Sequence, residues 1–219
     1  MTKHLPNFIT CLNLITGTIG IYSILMGTEM KAIYFVLIGG VFDLLDGLIA
    51  RVLKVNSDFG KQLDSLADLV TFGLVPSFYV LTLLQQQTEY FWVALFITVF
   101  SALRLAKFNL DESQSTGFKG LPTPANAIML TSLSFILFEL TAAVLVGIVV
   151  LSCVLLVSRI PLLALKFETL RWKGNEFRWV LIFAVLGFAI VFGWTFVPFI
   201  VPLYLTISAL SCMKKSESE

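Results

Sequence analysis

Apolar runs follow one another down this chain at about residues 6–26, 31–51, 62–84, 90–109, 122–139, 142–158, 177–192 and 195–212. Most are close to the roughly 20 residues a helix needs to cross a hydrocarbon core about 30 Å thick. The stretches 122–158 and 177–212 are each too long for one crossing. Each is read as a helical hairpin, turning near "ELTAAV" and "FGWTF" respectively. The pattern predicts an all-α fold, a polytopic integral membrane helical bundle of about eight transmembrane helices. No fixed-period repeat or low-complexity linker divides the chain. Residues 1–219 are therefore read as a single membrane domain, with 177–212 an additional C-terminal helical hairpin.

Charge adds an orientation. With the N-terminus in the cytosol, the cytosolic ends and loops hold Lys3, Arg51, Lys54, Lys61, Arg104, Lys107, Lys119, Arg159, Lys166, Arg171, Lys173, Arg178, Lys214 and Lys215. That is 14 of the 15 Lys and Arg, with Lys31 on the far side. Basic residues are retained on the cytosolic side of short loops, so both termini are expected there. Composition agrees, with 58% hydrophobic and 13% charged residues, against roughly 45–50% and about 25% in a soluble domain. The first apolar run continues from Phe8 to Met26 with no small-residue cleavage site after it, and is expected to be a retained span. His4 precedes that span and reads as interfacial. Cys11, Cys153 and Cys212 each stand alone in apolar segments, without disulfide or metal spacing, and read as packing residues. A net charge of +1 argues neither for nor against a polyanion; membrane lipids are expected as partners, and no nucleic acid.

One segment breaks the apolar pattern. "FDLLDGLIARVLKVNSDFGKQLDSLAD", residues 42–68, carries Asp43, Asp46, Asp64 and Asp68 at or inside two predicted spans. A carboxylate at the bilayer centre costs about 2.5–3.5 kcal/mol on insertion scales, so these side chains must face the bundle interior or a wet cavity. Asp43, Asp46, Gly47 and Ala50 follow i, i+3, i+4, i+7 and form one stripe on the second helix; Asp64, Asp68 and Thr71 form another on the third. The short connection between these helices makes them antiparallel neighbours whose acidic stripes face each other. Two unit charges about 5 Å apart interact by roughly 3 kcal/mol at an effective dielectric of 20, so four carboxylates must either take up protons or hold cations. All-oxygen ligands suit hard ions, Mg²⁺ or Mn²⁺, which keep positions open for substrate phosphates. The residues thus point to phosphate chemistry. Gly47, Ala50 and Gly60 either leave room for a substrate against the backbone or let helices pack closely. Arg51 is placed to pair with a phosphate.

The pattern from Asp43 to Asp68 is D-x2-D-G-x2-A-R-x8-G-x3-D-x3-D, with eight fixed positions. It resembles the signature of the CDP-alcohol phosphotransferase family, membrane enzymes that move a phosphatidyl group from a CDP-linked lipid to an alcohol. The resemblance implies a catalytic core over about residues 1–160. It implies that Asp43, Asp46 and Asp64 are metal ligands for the diphosphate of the CDP-lipid. Asp68 would be the general base and also a metal ligand, with two divalent ions in the site. Gly47, Arg51 and Ser57 would contact the CDP-lipid, and "PNFIT" resembles the family's entry segment, making Asn7 and Thr10 nucleotide contacts. A homodimer is also implied.

The acceptor is read elsewhere. "SDFGKQLDSLADLVTFGLVPS", "RLAKFN" and "GFKGLPTPAN" resemble the phosphatidylserine-forming branch of the family, which implies CDP-diacylglycerol and L-serine as substrates and phosphatidylserine and CMP as products. Serine brings a carboxylate and an ammonium to be matched. Arg104 offers a bidentate partner for the carboxylate, with Lys107 beside it, and Asn109 and Asn126 are candidates to orient the amine. Arg104 and Lys107 serve equally as positive-inside anchors. Other acceptors within the family, glycerol 3-phosphate or an inositol phosphate, and a cation-coupled transporter remain as alternatives. The expected location is the cell (inner) membrane, multi-pass, with the active site facing the cytosol.

Overall fold

The computed structural model describes residues 4–28, 31–55, 57–110, 120–136, 139–160, 162 and 175–216, with side chains as far as Ser211. Of the basic residues used above, Lys3, Lys119, Lys166, Arg171 and Lys173 lie outside these, as do the side chains of Lys214 and Lys215.

Among the described residues the regular structure is helical throughout. It comprises α1 (Leu5–Leu25), α2 (Ala32–Leu53), α3 (Asp58–Asp68), α4 (Val75–Gln85), α5 (Phe96–Leu110), α6 (Thr123–Thr131), α7 (Ala142–Val157), α8 (Glu176–Phe192) and α9 (Ile200–Ser216). A π-helical turn, Leu69–Leu74, welds α3 to α4, and 3₁₀ turns extend α5, α6 and α9. Among the described residues, five stretches are long and apolar enough to cross a membrane: Leu5–Leu25, Ala32–Leu53, Asp58–Gln85, Phe91–Leu110 and Glu176–Ser211. The apolar helix Ala142–Val157 is shorter. The predicted span 122–139 is helical only as far as Phe135, after which Ile136 is extended.

Glu176–Ser211 is one stretch by length but not by direction. Phe188 and Phe196 are eight residues apart, which in continuous helix is about 12 Å of rise, yet their rings stack at 4.9 Å. The chain turns back at Gly193, whose φ of +56° suits a residue without a side chain, and α8 packs on α9. The chain thus reverses direction within "FGWTF". That turn leans on α6 and its 3₁₀ extension, where Phe135 meets Trp194 at 5.5 Å.

A proline disturbs the helix at the weld between α3 and α4. Pro76 has no amide hydrogen to give to the carbonyl of Phe72, and its ring crowds that carbonyl. The helix accommodates this by widening into the π turn that ends at Leu74. Beyond it, Val75, Tyr79, Val80 and Leu84 of α4 are almost wholly buried and form the centre of the core. The outer surface is apolar in turn. Leu44 and Leu48 on α2 are 59% and 42% exposed, whereas Asp46 between them is 6% exposed. A helix with hydrocarbon outward and carboxylates inward is solvated by lipid.

α1 packs extensively along α2 and also against α3 and the π turn. Small residues permit the approach. A β-carbon on Gly17 would lie 2.4 Å from Oγ1 of Thr71 and 2.9 Å from its Cα, and one on Gly39 would lie 2.4 Å from Cγ2 of Thr71 and 2.9 Å from Oδ1 of Asn13. Three elements meet there, and the Thr71 hydroxyl donates to the carbonyl of Asn13 at 3.0 Å.

Candidate active site

The junction places the acidic residues. Asp43 on α2 and Asp64 and Asp68 on α3 each present a carboxylate oxygen such that all three lie within 4.8 Å of one another. The stripes on α2 and α3 thus converge as expected, with α1 packed against both helices. α1 supplies their polar partners. Nδ2 of Asn13 donates to Oδ1 of Asp68 at 3.2 Å, and Oγ1 of Thr10 donates to Oδ2 of Asp46 at 2.6 Å. Asp46 stands apart from the close group, and Asn13 itself is fully buried.

Two acceptors are left over, Oδ1 of Asn13 and Oδ1 of Asp64. Oδ1 of Asp64 is buried with no hydrogen-bond partner, a state that costs about 1–3 kcal/mol or more for a charged group. An unmet carboxylate oxygen beside two further carboxylates is what a divalent cation with oxygen ligands requires. The donor set fits a hard ion, and Asp43, Asp64 and Asp68 are the residues arranged to hold it, with Asp46 adjoining.

A cavity of about 670 Å³ opens beside the cluster, lined by Pro6, Asn7, Thr10, Asp46, Gly47, Ala50, Val55, Ser57, Asp58, Gly60, Lys61 and Asp64. Its mouth is built by the start of α3. Ser57 is the N-cap, its hydroxyl accepting from the Gly60 amide at 3.0 Å, which satisfies one of the helix's free donors. A β-carbon at Gly60 would come within 3.0 Å of that hydroxyl and 3.1 Å of Oδ1 of Asn7, so glycine keeps α1 and α3 close at this rim. At Gly47 nothing lies within 4 Å, leaving a bare patch of α2 on the cavity wall.

Fold and site together define a multi-pass helical membrane protein with a carboxylate cluster beside a polar cavity. The sequence profile of the family described as CDP-alcohol phosphatidyltransferase matches residues 3–157, and the chain belongs to that family. Among its relatives are three proteins named CDP-diacylglycerol–serine O-phosphatidyltransferase. The one from Bacillus subtilis is 37% identical over 135 residues, covering 61% of this chain and 76% of the relative. The one from Helicobacter pylori strain J99 is 32% identical over 203 residues, covering 84% and 81%. The one from Methanocaldococcus jannaschii is 31% identical over 152 residues, covering 68% and 71%.

Of the residues singled out in the sequence, Asn7, Thr10, Gly47, Ala50, Ser57 and Gly60 line the cavity together with Asp46 and Asp64. Arg51 does not; it is exposed, and its Nε donates to the Gly47 carbonyl one turn back. The acceptor-side residues disperse. Lys107 is exposed on the last turn of α5. Asn109 ties α5 to α3: its Nδ2 donates to Oγ of Ser65 at 2.7 Å, and its carbonyl accepts from Nζ of Lys61 at 2.8 Å. Asn126 is fully buried on α6, with Oδ1 accepting from Ser152 at 2.7 Å and Nδ2 unpartnered. Arg104 reaches inward, donating from Nη1 to Oγ1 of Thr123 at 3.0 Å.

Sequence reasoning missed Asn13, Thr123 and Lys61. Asn13 had a signal, since it lies three residues beyond Thr10 inside an apolar span, where a polar side chain seeks an interior partner. Lys61 and Thr123 lie inside motifs quoted above, but their partners, 48 and 19 residues away, are not readable from those motifs.

Proposed function

We infer that this protein transfers the phosphatidyl group of CDP-diacylglycerol to L-serine, giving phosphatidylserine and CMP. The observation that carries the reading is the close group of Asp43, Asp64 and Asp68 beside the cavity, in a chain whose family and named relatives share that chemistry. The cavity wall from Asn7, Thr10, Gly47, Ala50, Ser57 and Gly60, with Arg51 at its edge, receives the CDP-lipid headgroup, while the acyl chains stay in the bilayer. Asp43, Asp46, Asp64 and Asp68 hold two divalent ions, Mg²⁺ or Mn²⁺, which when bound neutralise the diphosphate and make the phosphatidyl phosphorus electrophilic.

Asp68 accepts the proton of the serine hydroxyl as the hydroxyl oxygen bonds to the phosphatidyl phosphorus and the bond from that phosphorus to the CMP oxygen breaks. No side chain is transiently esterified. Asn13 holds one Asp68 oxygen, leaving the carboxylate to meet the hydroxyl in one orientation. Arg104 takes the serine carboxylate, with Lys107 adding positive charge and Asn109 and Asn126 shaping the amine side. Asn13→Ala is expected to lower kcat by roughly tenfold or more, the worth of a hydrogen bond to a charged group. Steady-state kinetics on the folded variant check this, and an unchanged kcat contradicts it.

The same reading gives eight crossings with both termini in the cytosol. What supports it is the five stretches long and apolar enough to cross among the described residues, the reversal at Gly193, and the basic residues Arg51, Lys54, Lys61, Arg104 and Lys107 at the end of the bundle where α2 stops, α3 starts and α5 stops. The whole chain acts as one membrane domain of the inner membrane, a homodimer with its site facing the cytosol, and 177–212 is an appended hairpin beyond the family match. Purified protein in detergent tests the reaction. CDP-diacylglycerol, a divalent ion and serine should yield CMP and phosphatidylserine in equal amounts, and a chelator should stop both. Labelled CMP that exchanges into CDP-diacylglycerol without serine would instead reveal a phosphatidyl-enzyme.

A further inference from the structure

The segment leading into α6 is pinned before it reaches the site. The amides of Gly120 and Leu121 donate to the carbonyls of Ile160 and Leu155, both at 3.0 Å, across the end of α7. Gly120 has φ of +74°, and a β-carbon on it would lie 2.7 Å from the Ser158 carbonyl, so the strap admits glycine at that point. Extended Pro122 then starts α6 with Thr123 as its first residue, wholly buried. The Thr123 hydroxyl accepts from Nη1 of Arg104 at 3.0 Å.

Which guanidinium nitrogen is taken matters. Nη1 lies on the side of the planar group facing back along its own stem. Nε and Nη2 make up the opposite edge, whose two N–H bonds run parallel and match a carboxylate in bidentate fashion. Nε of Arg104 is buried and has no acceptor, and a buried charged donor without one is a cost the resting protein bears. The Phe108 ring lies 5.8 Å from the guanidinium carbon and supports it from one side. α5 packs against the π turn that begins directly after Asp68, so Arg104 sits on an element adjoining the residue proposed to receive the acceptor's proton.

We propose that Thr123 is the positioning residue for acceptor choice: by holding Nη1 it presents the Nε/Nη2 edge of Arg104 to the carboxylate of the incoming amino acid. The Gly120–Thr123 strap thereby sets the preference for an amino acid over an amino alcohol lacking the carboxylate. This rests on the serine-acceptor reading above and adds the residues that enforce it. Thr123 touches no substrate atom and acts through Arg104.

The test uses the purified full chain with CDP-diacylglycerol and a divalent ion, titrating L-serine and, separately, ethanolamine. Thr123→Val, which keeps the shape and removes the acceptor oxygen, should raise the KM for serine about tenfold or more, the usual worth of a hydrogen bond to a charged group. The KM for CDP-diacylglycerol should stay near its original value, and kcat should fall far less than kcat/KM. Thr123→Ser should restore the serine KM, and the preference for serine over ethanolamine should narrow in Thr123→Val alone. If Thr123→Val does not fold, Thr123→Ala is read by the same criteria. An unchanged serine KM overturns the proposal, as does an equal rise in both KM values or a Thr123→Ser variant that fails to restore. Original protein that releases CMP with another acceptor and not with serine overturns the acceptor reading as well.

Discussion

Asp68→Asn should abolish turnover without unfolding the protein. A positioned general base is worth about 10²–10⁴ in rate, and this residue is also one of the three carboxylates that converge within 4.8 Å. A fall in kcat of about 10³-fold or more is therefore expected. Stability should move the other way. With no ion bound, three crowded carboxylates either repel one another or bear the cost of taking up protons. The amide is nearly isosteric and still accepts from Asn13, whose Nδ2 reaches Oδ1 of Asp68 at 3.2 Å. The metal-free variant should melt no lower than the original, as sites built for chemistry are commonly destabilising. It should also keep some CDP-diacylglycerol binding, because the cavity-lining residues and the other three aspartates remain. Kinetics, thermal melts in chelator and a ligand-induced shift of the melt separate these effects. Retained turnover would remove Asp68 from the role of base.

Gly17→Val should be nearly as damaging by an opposite route. The added β-carbon alone would stand 2.9 Å from Cα and 3.0 Å from N of Thr71. Those are backbone atoms of the π turn and cannot swing aside as a side-chain tip can. Overpacking of this kind costs about 1–3 kcal/mol, and relief requires α1 to move off the π turn. That movement carries Asn13 away from Asp68 and Thr10 away from Asp46. Both the melting temperature and kcat should fall together, where Asp68→Asn lowers kcat alone. Gly47→Ala is the control for helix propensity, since nothing lies within 4 Å of that position, and it should not lower the melting temperature. A Gly17→Val protein as stable as the original would show that α1 and the π turn are not held this closely.

These two variants also mark what the chain reveals when read alone. That the chain is a bundle of apolar, membrane-crossing helices was legible because apolar length is a local property; how many of the eight expected crossings there are was not, since among the described residues only five stretches are long enough. Asp43, Asp46, Asp64 and Asp68 were legible because spacings of three and four residues place side chains on one helix face whatever surrounds the helix. The wedge made by α1 was not. Nothing in "CLNLITG" says that Asn13 bonds a carboxylate 55 residues away, and Gly17 reads as any small residue in a span until Thr71 is found against it. The π turn was hidden for a related reason: Pro76 announces a disturbance in the helix, but whether it kinks, breaks or widens depends on the packing around Thr71. Asn109 was hidden in the same way: nothing in "RLAKFN" says that its amide bonds Ser65, 44 residues away.

The measurement closest to the central claim is CMP release by the purified chain offered one acceptor at a time. Separate reactions would contain CDP-diacylglycerol, Mg²⁺ or Mn²⁺, and L-serine, glycerol 3-phosphate or an inositol phosphate. Release with serine alone, stopped by chelation and recovered on returning the ion, is the predicted result. Release with a phosphorylated acceptor and not with serine would keep the family and contradict the assignment of Arg104 and its strap; release that persists in chelator would contradict the role given to the aspartates.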